Sequence, residues 1–198
     1  MKRELALLCV LTLPPLAGAG EARGDRLVIV YAASSDRACL DTVFGAWRGA
    51  ERDLRDLGLR LPPARLEAAS SAADFARRTG EPWFVAASTR GNVIRTQRLG
   101  ALAAGGRLGF TVRHEAFHAA QPPGLPRWLA EGLARVFSGE AKGDWGAPTG
   151  LEQRSGDELG ALLAGRDGSR LQDAYSEATR RAERLLRERG WKKTLAVR

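Results

Sequence analysis

Apolar residues recur along this chain with two periods, and the switches between them mark its elements. The stretch RLVIVYAAS, residues 26–34, is β-branched and apolar between polar flanks and predicts a strand. Leu40, Val43, Phe44, Trp47, Leu54 and Leu57 then fall at helical spacing, which predicts a helix capped at Ser35 and stopped by Gly58. Cys39 and Trp47 read as core residues. After Pro62-Pro63, ARLEAAS permits a short strand, and Ser71 caps a small helix that carries Phe75 and ends at Gly80. PWFVAAS and NVIRTQR read as two strands joined by the turn Thr89-Arg90-Gly91-Asn92. Thr111 is the expected cap of the next helix, QPPGLP ends it, and Pro126 suits the first turn of the helix RWLAEGLARVF. A glycine-rich loop, a short DELGALLAG helix and a long amphipathic helix from Leu171 to Arg189 follow, with no internal repeat.

The first 22 residues differ from the rest. Lys2 and Arg3 lead the run LALLCVLTLPPLAGAG, too short and too broken by proline for a membrane span. Ala17-Gly18-Ala19 supplies a small-residue cleavage pattern, with Ala22 as a second end, so residues 1–22 are expected to be a signal peptide and 23–198 a single domain exported to the periplasm or secreted. Removing the leader takes Cys9 with it and leaves Cys39 as the only cysteine, so no internal disulfide is expected. The net charge of +8 invites a nucleic-acid reading. Arginine is instead spread along the chain beside acidic neighbours, as in RGAERDLRDLG and RRAERLLRERG, the i,i+3 and i,i+4 pattern of solvated helix faces. No basic run is interleaved with aromatics, so no nucleic-acid partner is expected.

The two histidines of the chain lie four apart in RHEAFH, with Glu115 directly after His114. On a helix, His114 and His118 share one face and aim at one point. Glu115 projects about 100° around from His114 and about 60° from His118. It thus reaches a water held by the pair without becoming a ligand. Two neutral imidazoles suit Zn²⁺, and a carboxylate beside an activated water is a general base. A hydrolytic site of this kind takes its third ligand from a glutamate on another helix. Glu131 stands thirteen positions after His118, in WLAEGLA, past a proline-rich turn that returns the chain.

RHEAFH followed by LPRWLAEGLA resembles the gluzincin metallopeptidases of the thermolysin-like MA group, and within it the small bacterial peptidase MA-like domains. The similarity covers most of the chain after the leader; its two motifs are specific together, the N-terminal half much less so. The resemblance implies an α+β, zincin-like fold, a small mixed sheet with an edge strand over the HExxH helix and a following ligand helix. It implies one Zn²⁺ per chain on His114, His118 and Glu131, with Glu115 as base and proton shuttle, and hydrolysis of peptide bonds. The gap from His118 to Glu131 is shorter than in the large members and matches the small ones. Arg135 stands where some members place an acidic residue that steadies a ligand histidine, so that partner must come from elsewhere, with Asp144 and Glu140 as candidates. Tyr175 is the only tyrosine after the motif and has two readings. Its hydroxyl serves the oxyanion, or its ring packs in register with Leu171, Ala178 and Leu185, and that register favours packing. A peptide or protein substrate is expected to add to an edge strand at residues 83–88 or 92–97. Oligomeric state and side-chain specificity are not legible.

Two other classes compete with the peptidase. One is a zinc-holding envelope domain without turnover, which has little reason to keep Glu115. The other is a basic secreted protein for acidic polymers, which would hold no metal and bind with strong salt dependence.

Overall fold

The computed structural model describes residues 19–24, 26–143, 148–165 and 167–196. Residues 1–18, most of the expected leader, and Asp144 lie outside the described residues. The fold is mixed α+β. Its elements run β1 (Gly20–Arg23), β2 (Leu27–Tyr31), α1 (Leu40–Asp56), β3 (Ala64–Ala68), α2 (Ala72–Thr79), β4 (Ala87–Arg90), β5 (Val93–Thr96), α3 (Leu99–Ala104), α4 (Leu108–Ala120), α5 (Arg127–Ser138), α6 (Gly156–Leu163) and α7 (Gly168–Leu195). The strands form one sheet in the order β1-β2-β3-β5-β4. The β2–β3 and β3–β5 pairs are parallel, and the two outer strands run antiparallel to their neighbours.

Strand alternation explains how the sheet is covered. Leu27, Ile29, Leu66 and Ile94 are fully or nearly fully buried on one face, in a core shared with Val43, Trp47 and Leu54 of α1 and Val112, Ala116 and Phe117 of α4. Each such side chain contributes about 1.5–3 kcal/mol by leaving water, so this face fixes the register. The other face is charged: Glu67 accepts from Arg65 and Arg95 at 3.3 Å and from Arg78 of α2 at 3.4 Å. These pairs are partly exposed and contribute little each.

Several boundaries differ from the pattern reading. Residues Ser34–Cys39 form a 3-10 turn, so α1 begins at Leu40 and Ser35 is not its cap. Of the expected strand 82–88 only Ala87 and Ser88 pair; Thr89 and Arg90, expected in the turn, extend β4, so the turn is Gly91-Asn92 alone. Val85 N–H closes a turn on Pro82 O, and the Gln97 side chain bonds the Trp83 and Val85 carbonyls in place of a ladder. Strand β5 lies inside the sheet, which removes residues 92–97 as a docking edge and leaves β4. The motif helix begins one turn early, at Leu108, after the Gly105-Gly106 break with Gly106 at φ 66°. Thr111 is therefore a buried residue inside α4, not its cap, because Leu108, Val112 and Ala116 continue one apolar face through it. Pro126 sits at the cap position of α5. Two elements had no counterpart in the pattern reading, namely α3 and β1. A cut after Ala19 leaves β1 whole, whereas a cut after Ala22 removes most of it. Among the described residues no helix is long and apolar enough to cross a membrane.

Candidate metal centre

Helix α4 carries the histidine pair and is fixed on both sides. Phe117, fully buried, stacks near Phe137 of α5 with ring centroids 5.6 Å apart. Arg113 donates to Asp53 of α1 at 2.8 Å and to the Phe137 carbonyl at 3.1 Å. The turn of the chain through residues 121–126 returns α5 alongside, and Gly132 lets that helix approach α7 closely. A Cβ at Gly132 would lie against the Ala178 carbonyl oxygen and 2.9 Å from Ala182 Cβ. The glycine after Glu131 is thus required by packing, and that packing sets the depth of Glu131.

The three candidate ligands converge. His114 Nε2 and His118 Nε2 are 3.0 Å apart, and each lies 3.4 Å from Glu131 Oε2. Donors held about 2.0–2.1 Å from one tetrahedral ion lie about 3.3 Å from one another, so the set fits zinc. Among the described residues this is the one His/Cys/Asp/Glu group so arranged. The outer nitrogens support the same conclusion. His114 Nδ1 faces Glu140 Oε2 at 2.9 Å, and His118 Nδ1 faces the Gln121 side-chain oxygen at 3.1 Å. Protons on both Nδ1 atoms leave both Nε2 lone pairs for a metal. Of the two candidate carboxylates for steadying a ligand histidine, Glu140 occupies that place, and Asp144 falls outside the described residues.

The electrostatics follow from this crowding. Burial alone would pull His114 down, but its hydrogen bonds to the Glu131 and Glu140 carboxylates outweigh it and raise the imidazole to about 10. Burial is likewise outweighed at His118, which is raised mainly by the charge of Glu131. Burial would raise Glu131, yet the charge of His118 and the bonds to both histidines hold it far below the usual carboxylate range. Without a metal, both imidazoles are thus shifted toward the protonated form beside Glu131.

Glu115 does not join the ligand cluster. It is 5% exposed, and its Oε2 accepts a 2.6 Å bond from Thr89 Oγ1 on β4. Glu115, His114, His118, Glu131, Thr89 and Tyr175 all line one open cavity of about 700 Å³, a size suited to a ligand of several residues. Tyr175 has a place in both the packing and the cavity. Its ring packs on the cluster of Leu151, Leu159, Leu163, Leu171, Ala174 and Ala178, while it also walls the cavity. Burial, then the nearby charges of Glu131 and Glu115, pushes its hydroxyl well above the ordinary range, so it stays a donor. Arg135 lies over the Tyr175 ring at 5.5 Å and donates to Thr179 at 3.0 Å.

Thr89 and Gln121 were missed in the sequence. Gln121 carried a weak signal, three positions past His118 at the helix end, where an i,i+3 contact forms. Thr89 carried none without the strand register. Comparison with family models, with curated proteins and with solved structures found no match.

Proposed function

We propose that the chain is an exported, zinc-dependent peptidase of the gluzincin type, with a zincin-like arrangement of its sheet over α4. The observation that carries the reading is the convergence of His114, His118 and Glu131 in a cavity that the edge strand β4 also lines. These three residues would hold one Zn²⁺, which when bound supplies Lewis-acid chemistry, acidifying water and polarising a carbonyl. Glu115, acceptor-only while ionised, takes a proton from the attacking water as its oxygen bonds the scissile carbon. It then delivers that proton to the amine nitrogen as the C–N bond breaks. Tyr175 presents a neutral hydroxyl donor to the same space.

Substrate recognition falls to β4. Gln97 N–H bonds Ala86 O, and the β4–β5 register continues from that pair, so Ser88 and Arg90 exchange bonds with β5. Ala87 and Thr89 therefore turn their N–H and C=O groups to the open edge, ready for an added antiparallel strand. Such recognition reads main chain and asks little of sequence. No nucleic-acid role is proposed, since the arginines of the sheet face pair with Glu67.

The test is metal analysis of the mature chain with a broad peptide-cleavage screen. About one zinc per chain is expected, lost in His114→Ala, His118→Ala and Glu131→Ala, with Glu115→Gln keeping zinc and losing hydrolysis. Full zinc without cleavage of any peptide would favour the noncatalytic domain, and full zinc retained by all three alanine variants would sink the site. N-terminal sequencing of secreted material should find a start near Gly20 or Arg23; an intact Met1 in a membrane fraction would refute export by cleavage.

A further inference from the structure

We propose that Thr89 is the positioning residue for Glu115, and that it couples alignment of this carboxylate to the pairing of a substrate strand with β4. The inference rests on the peptidase reading above. The 2.6 Å bond from Thr89 Oγ1 to Glu115 Oε2 joins an edge strand to a helix across 26 positions of sequence. It is the one hydrogen bond to that buried carboxylate among the described residues. A carboxylate only accepts, so its partner must donate; a threonine hydroxyl does so, and a valine of the same shape cannot. With Oε2 held, Oε1 is the oxygen left to receive a proton.

The register that delivers Thr89 is itself constrained. Gly91, at φ 61°, and Asn92 form a two-residue hairpin loop, and among the described residues no non-glycine has positive φ. That is the signature of a type II′ turn, with glycine at its first central position. A slip of one residue would turn Thr89 to the opposite face of the sheet. Its branched Cβ further limits the directions Oγ1 can take.

Thr89 also offers its own N–H and C=O to the open edge, as derived above from the pairing with β5. A strand laid on β4 thus bonds the main chain of the same residue whose side chain holds the base. Those bonds restrict the backbone of Thr89 and with it the direction of Oγ1. Substrates long enough to reach Thr89 should be cleaved with a better aligned base than short ones.

The test compares Thr89→Val and Thr89→Ser on zinc-loaded protein with peptides of increasing length. For long peptides, Thr89→Val is expected to lower kcat by about 10- to 100-fold, the scale of one hydrogen bond to a charged group, with KM within about threefold. Thr89→Ser should restore most of the loss, and the rise of kcat with length should disappear in the valine variant. A second readout needs no turnover. In metal-free protein carrying ¹³C-labelled glutamate carboxyls, the Glu115 resonance, identified by its absence in Glu115→Gln, should move in Thr89→Val and stay in Thr89→Ser. Wild-type kcat in the valine variant, a serine variant as impaired as valine, an unchanged length dependence, or an unmoved resonance would each overturn the proposal. If wild-type protein cleaves no peptide, the peptidase reading fails, and the carboxyl resonance still decides whether Thr89 holds Glu115.

Discussion

Replacing Glu140 by alanine should weaken zinc binding without disturbing the fold, and the size of the loss can be worked from its contacts. Glu140 lies on the short turn after the Gly139 cap of α5, outside the hydrophobic core, and its Oε2 is 2.9 Å from His114 Nδ1. A hydrogen bond of this charged kind contributes about 1.5–3 kcal/mol. The Glu140 side chain is 24% exposed, and solvent screening places the value near the lower end. That corresponds to roughly a 10- to 30-fold loss of affinity, within the range for outer partners of metal-bound histidines. Glu140→Gln keeps an oxygen acceptor but not its charge, so a loss of about 3- to 10-fold is expected. Competition with a chromophoric chelator at fixed pH measures both variants, with thermal melting of the metal-free proteins in parallel. The reasoning is refuted if Glu140→Ala binds zinc within twofold of wild type at unchanged stability, because His114 would then need no carboxylate behind it.

Three further expectations concern protons, packing and Tyr175. Because His114 is raised to about 10 in the metal-free chain, zinc must displace at least one proton below that pH, so affinity should rise about tenfold per pH unit between pH 7 and 9. Over the same span the metal-free protein should lose stability, since a raised imidazole stabilises fully below its ordinary value of 6.5 and its contribution fades as pH climbs to about 10; flat profiles in both titrations would contradict the site's electrostatics. Gly132→Ala forces a methyl against the Ala178 carbonyl and should cost about 1–3 kcal/mol in chemical denaturation, with weaker zinc binding as Glu131 shifts; a neutral substitution would show that α5 and α7 are not held this closely. Tyr175→Phe should lower kcat about tenfold or more with melting unchanged, whereas Tyr175→Ala should also destabilise by about 3 kcal/mol; a kinetically silent Phe variant would leave Tyr175 with packing alone.

What the sequence disclosed divides along a physical line. His114 and His118 could be placed together because one helix fixes their spacing, and Glu131 because a short return across Pro122 and Pro123 leaves few paths. Strand β2 was legible as an element from its apolar β-branched run, but LVIVY is apolar throughout, so only the structure sorts Leu27 and Ile29 from Val28. The contacts that crossed elements were not legible. Thr89 reaches Glu115 only because a two-residue turn sets its strand register and the sheet order puts β4 at the edge, and neither follows from its neighbours. Helix α3, six residues of mostly alanine, leucine and glycine, carries too few turns to show a period. Strand β1 was hidden because three of its four residues, Gly20, Glu21 and Ala22, fall within the segment read as a leader.

Charge balance then explains a departure that the motif alone left open. Three carboxylates gather within the site, Glu115, Glu131 and Glu140, and burying them unpaired would be prohibitive. The charge of Arg135 acts on Glu140, helping to hold it ionised together with the bond to His114. The two imidazoles, both raised, are shifted toward their positive, protonated forms in the metal-free chain. A divalent ion carries the same charge as two such protons, so exchanging one for the other leaves the buried site balanced. An arginine four positions after Glu131, where some members of the resembling family place an acid, is therefore consistent with a site in which the carboxylate behind His114 is Glu140 instead. An acid at position 135 would add a fourth negative group and remove the third positive one. In that arrangement Glu140 and Arg135 are a matched pair: each makes the other tolerable, and together they let His114 keep a carboxylate behind its ring.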